Sequence, residues 1–178
     1  NSRKRSAKAV HLNLRIPENI QKGRALVGRL ETDKNLNKGI VISMIKKGWG
    51  LEKGMEIHEI PNKNAFLFCF AKQEDYNRVL KRCPWSIQGA LLNLQHWDDF
   101  TIFHEVGFDW CPFWIQFHGL PHVAFDGENA VTLGNAVGRV MMYESPKTQD
   151  KLTRTFIRTR ILINICEPLV SSFWVLRP

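Results

Sequence analysis

The residues of this sequence whose types and spacing could do chemistry are arginines: Arg154, Arg158 and Arg160 late in the chain, Arg24 and Arg29 early in it. Arg158 and Arg160 flank Thr159 in a stretch, Thr155–Ile165, that reads as a strand. Alternation then puts both guanidiniums on one face, about 7 Å apart. That separation is close to the phosphate repeat of an extended single strand. Arg154 upstream, with Phe156 on the same face, lengthens the row into a candidate phosphate-contacting surface. The competing reading is an exposed strand face whose charges discourage edge pairing.

Other constellations carry less. His118 and His122 are four apart, with His104 and Cys111 nearby, but an i, i+4 pair converges only on a helix and Gly119 and Pro121 forbid one there. No metal site is expected. Asp98 and Asp99 are neighbours on a strand end and point apart, with no third carboxylate to join them. The sequence holds no phosphate-binding GxxxxGK, no GxSxG elbow, no GxGxxG after a strand and no HExxH. No catalytic residue, no cofactor and no small-molecule substrate is expected.

Charge supports the arginine reading. The net charge is +8 over 178 residues, and it is segregated. Residues 1–29 hold eight Lys and Arg against Glu18 alone, a net of +7. Residues 147–160 hold five against Asp150, a net of +4, while Asp98, Asp99, Glu105 and Asp109 make the middle acidic. Such a distribution favours a polyanionic partner. The four cysteines show no CxxC spacing, which reads as reduced thiols in an intracellular protein. No apolar run reaches the ~18–20 residues of a membrane span. The chain begins at Asn1 rather than Met and stops abruptly at Pro178, and is expected to be a fragment or an excised domain.

The elements that must position these residues follow from periodicity. Residues 1–22 form a basic arm. A strand at Ala25–Leu30 leads to a helix capped by Asn35, with Leu36, Ile40, Val41, Met44 and Ile45 on one apolar face and Gly48 at its end. Met55–Ile60 and Ala65–Phe70 make a hairpin, Gln73–Cys83 a second helix stopped by Pro84, and Gly89–Trp97 a fourth strand. The order is βαββαβ, a ferredoxin-like core over residues 23–98. An acidic connector spans 99–111. The strand Phe113–His118, a helix at Asp126–Ala136 capped by Asp126, and strands near Arg139–Tyr143 and Thr155–Ile165 make a βαββ extension over 112–169, packed on the core; 170–178 is an apolar tail. The fold class is α+β.

The third strand invites comparison with RNA-recognition motifs, which stack bases on open-face aromatics. Phe66, Phe68 and Phe70 share a face and, being large rings, belong against the helices. The open face is then left with Ala65, Leu67 and Cys69, with Leu26 beside them. An RRM-like fold is expected, with its usual binding surface lost and its apolar open face packed on the second part of the chain.

In Pro112-Phe113-Trp114-Ile115-Gln116-Phe117-His118-Gly119-Leu120-Pro121, Phe113, Ile115 and Phe117 alternate with Trp114, Gln116 and His118, a strand with one buried and one mixed face. With Gly28-Arg29-Leu30, Asn64 and Phe66–Phe70, Pro84-Trp85, Trp97, Gly134, Gly138, Arg158, Arg160 and Pro168-Leu169, it makes the chain resemble a plant-specific domain of unknown function found in LINE-type retrotransposon proteins, where it precedes a CCHC zinc knuckle. The resemblance covers about residues 24–169. After Leu169 no Cys/His knuckle follows, a departure from the pattern. The retrotransposon context implies binding of RNA or single-stranded DNA.

Together these point to a non-catalytic nucleic-acid-binding module that uses a basic surface (Arg24, Arg29, Arg154, Arg158 and Arg160) rather than stacked rings. The alternative is a protein–protein or self-association module built on the apolar stretch Leu169–Leu176. Arg3-Lys4-Arg5 and the expected partner suggest a nuclear location.

Overall fold

The structure is a computed structural model that describes residues 24–61, 63–145 and 154–176, with backbone alone at 147–148 and 151–152. The basic arm at 1–22 lies outside the described residues, as do the side chains of Lys147 and Lys151.

The first part of the chain is a five-stranded antiparallel sheet with two helices on one face. Its elements are β1 (Ala25–Glu31), α1 (Lys38–Trp49), β2 (Met55–Ile60), β3 (Ala65–Phe70), α2 (Gln73–Lys81), β4 (Trp85–Ile87) and β5 (Ala90–Trp97). The strands lie in the order β2-β3-β1-β5-β4. The expected six-element order therefore gains a strand: Trp85–Ile87 pairs with Ala90–Leu92 instead of forming a loop. Gln88 and Gly89, with φ of 51° and 79°, supply the left-handed pair that a tight hairpin turn needs.

The first helix starts later than Asn35. Asn37 is the cap, its side chain accepting the Ile40 N–H at 3.1 Å. The helix runs through Gly48 and ends at Gly50, whose φ of 65° lets its N–H reach the carbonyls of Lys46 and Lys47. The apolar face shifts accordingly: Val41, Ile45 and Trp49 are buried, four apart, while Ile40 and Met44 are exposed. Trp49 packs at 4.9 Å from Phe68 and 5.6 Å from Trp85. Arg78 on α2 donates to the Trp49 carbonyl at 2.8 Å and so ties the two helices together.

Phe66, Phe68 and Phe70 do face the helices. Leu26 joins them, which corrects its placement on the open face: it stands directly opposite Phe68 and is fully buried in the same core. Val27 and Arg29 occupy the open face in its stead, beside Leu67 and Ala65. That face is covered in part by the connector. Asn93, fully buried, donates its side-chain amide to the carbonyls of Phe108 at 2.9 Å and Trp110 at 3.2 Å. Phe108 itself is buried.

The second part has its own sheet and core. β6 (Trp110–Phe117), α3 (Gly127–Asn135), β7 (Arg139–Glu144), two-residue strands β8 (Lys147–Thr148) and β9 (Lys151–Leu152), and β10 (Ile157–Asn164) follow in order. The three long strands pair antiparallel as β6-β10-β7. Asp126 caps α3 by accepting the Asn129 N–H at 2.7 Å. Phe117, Ile157, Ile161 and Ile163 face that helix, with Phe113, Ile115 and Leu133 packed around them. The fold is α+β in both parts: the five-stranded sheet carries two helices on one face, and the three-stranded sheet carries α3 on one of its own.

Candidate nucleic-acid interface

Alternation on β6 and β10 puts a second set of side chains on the face of this sheet away from α3. Register places Gln116 opposite Arg158 and Trp114 opposite Arg160, with Glu144 and Met142 across from the same arginines on β7. The face is therefore built from rings and guanidiniums. Arg158 lies over the Trp114 ring at 4.4 Å from its centre, and Arg160 reaches the same ring at 6.0 Å. One row further along, His118 packs on Phe156 at 5.1 Å, and Arg154 stands over Phe156 at 5.9 Å.

Glu144 organises the cations. Its carboxylate accepts from both Arg154 and Arg158, the latter at 3.1 Å. The Arg154 hydrogen bond, with support from Arg158, holds this carboxyl below its ordinary range. Two guanidiniums around one anion make a ready site for a phosphate oxygen, which offers the same geometry as a carboxylate. Side chains of Arg154 and Arg158 stay about one third exposed, at 36% and 32%.

The five expected arginines do not form one patch. Arg154 and Arg158 share the ring-bearing face. Arg160 points to the same side but is 6% exposed, because the end of α2 docks there. Its guanidinium donates to the carbonyls of Lys81 and, at 3.1 Å, of Cys83, capping the helix that the first part presents. It acts as a staple between the two parts. Arg29 lies on the first sheet, bound to Glu31 through two hydrogen bonds of 2.8 and 3.0 Å and stacked 4.7 Å from the centre of Phe108. Arg24 sits at the start of β1 and lines a separate cleft with Glu56, His58 and Cys69.

Sequence reasoning passed over Trp114, His118 and Phe156 as stacking rings. The signal was present in the mixed face of β6, but pairing with β10 across forty residues is what gathers them. Beneath the same junction Cys83 and Cys111 are both buried, and their mutual interaction pulls the Cys83 thiol down and pushes Cys111 up. Among the described residues no three His, Cys, Asp or Glu side chains gather as metal ligands. No helix among them is long and apolar enough to cross a membrane.

Residues 19–105 match the family model of a domain of unknown function, DUF4283. The matched span holds the first sheet, both its helices and the start of the connector. The face made by Trp114, Arg158 and Phe156 lies beyond it. No curated protein and no solved structure matches the chain.

Proposed function

We propose that this chain is a non-catalytic module that binds single-stranded RNA or DNA through the helix-free face of its second sheet. The observation that carries the reading is the guanidinium of Arg158 stacked on Trp114, with the His118–Phe156 pair and Arg154 beside it. Bases stack on aromatic rings and on arginine planes alike, and guanidiniums meet the phosphates between them. Duplex nucleic acid offers no unstacked base to such a face. The first part is then an RRM-like, ferredoxin-like βαββαβ unit with one added edge strand, whose own open face is given over to the connector. Its proposed setting is that of plant LINE-type retrotransposon proteins acting in the nucleus.

The test is titration of labelled single-stranded and double-stranded oligonucleotides into the whole chain and into a Trp114→Ala/Arg158→Glu variant. Binding restricted to single strands and lost in the variant is expected. Equal binding by the variant overturns the reading.

A second reading, self-association, rests on the stretch after β10. Trp174 is 99% exposed and Leu176 93%, while Phe173 and Val175 line a cavity of about 480 Å³ together with Ile115, Phe117 and Leu133. A salt-insensitive rise of mass with concentration in sedimentation, removed by Trp174→Ser, would favour it.

A further inference from the structure

The proposed site continues across the junction onto the first part of the chain. Arg160 fastens β10 to the last turn of α2, with hydrogen bonds to the carbonyls of Lys81 and Cys83. Arg158 precedes Arg160 by two residues on the same face, about 7 Å away along the strand. The backbone of Lys81 and Arg82 is thereby held beside the Trp114–Arg158 stack.

The side chains of Lys81 and Arg82 are exposed. Neither makes an ion pair with a described residue. In this they differ from Arg154 and Arg158, which share Glu144, and from Arg29, which is held by Glu31. The carbonyls at the end of α2, which would repel a phosphate, are already occupied by the Arg160 guanidinium. What remains open at this helix end is positive charge.

We infer that Lys81 and Arg82 form the second bank of a groove for single-stranded nucleic acid, contacting phosphates of a strand whose bases lie on the Trp114–Arg158–Phe156 face. The inference rests on the function proposed above and adds a second set of phosphate contacts to it. It also gives Arg160 a positioning role: without the staple, the two banks would not share one strand.

The experiment titrates a labelled single-stranded RNA twelve-mer and the DNA of the same sequence into the whole chain over a salt series. Wild type is compared with Lys81→Glu/Arg82→Glu and with Lys34→Glu/Lys53→Glu, which changes the charge equally at two exposed loop lysines. The expected result is at least a tenfold loss for the first variant. Its logarithmic salt slope should also fall by about 1.4, since each phosphate contact with a single strand contributes about 0.7. The control variant should keep its slope. Equal losses in both variants, or an unchanged Lys81→Glu/Arg82→Glu variant beside an inactive Trp114→Ala/Arg158→Glu one, would overturn the inference and leave the proposed face standing. A wild type that binds neither strand overturns both.

Discussion

Arg158 holds its guanidinium 4.4 Å from the centre of the Trp114 ring, across two strands that pair from opposite ends of the second part. The stack fixes both side chains on the face away from α3. Glu144 locks it from the far side through its hydrogen bond to Arg158. A flat, cationic platform results, partly open to water.

Truncating the platform separates stacking from charge. Trp114→Ala should lower affinity for single strands about five- to hundredfold, the range for losing one stacking ring. The salt slope should stay near that of wild type, because no phosphate contact is removed. Fluorescence anisotropy at several salt concentrations reads both quantities.

Glu144→Gln should act in the opposite direction. It frees Arg154 and Arg158 from their internal anion and raises affinity several-fold, with a steeper salt slope. The same carboxylate makes stability depend on pH. Its folded pKa lies below the ordinary value of 4.5, so its contribution is complete above that range and is lost as pH falls through the lowered value. Acid unfolding followed by circular dichroism should therefore be less steep for Glu144→Gln than for wild type.

Arg160→Ala should cost about 1–3 kcal/mol, since it removes the guanidinium donor from the Lys81 carbonyl and from the buried Cys83 carbonyl at the end of α2. Urea unfolding measures the loss. The larger effect is expected on the contact between the two parts. Limited proteolysis in the segment between β5 and β6, residues 98–109, should accelerate in the variant, and it should not in Arg158→Ala.

Gly28→Ala tests the core of the first part. A methyl group there would sit 2.7 Å from Leu94 and 2.8 Å from Phe68, both packed side chains. Overpacking of this kind costs about 1–3 kcal/mol. Thermal unfolding should show a lower midpoint with unchanged secondary structure at low temperature.

Local signals were enough for much of this fold. The hairpin of β2 and β3 and the Asp126 cap follow from alternation and turn chemistry, because their partners are close in sequence. Errors came where a distant segment decides. Leu26 faces the core because β1 pairs with Phe68 in a register that its own short apolar run does not reveal. Asn35 and Asn37 both fit a helix start by type, and only the hydrogen bond to Ile40 separates them.

The site follows the same division. Alternation put Arg158 and Arg160 on one side, as found, yet docking of α2 buries Arg160 and leaves Arg158 about one third open to solvent. No pattern within β10 carries that distinction. The rings of Trp114 and Phe156 were visible as residues but not as neighbours, since the long crossover through α3 and β7 separates their strands.

The most direct test of the central claim is the affinity of the whole chain for single-stranded RNA and DNA across a salt series, repeated after removal of residues 1–22 and with Trp114→Ala/Arg158→Glu. The account predicts that the trimmed chain still binds, with a clear negative salt slope, and that the double substitution abolishes this binding. Binding that disappears with residues 1–22, or that survives the double substitution, would contradict it.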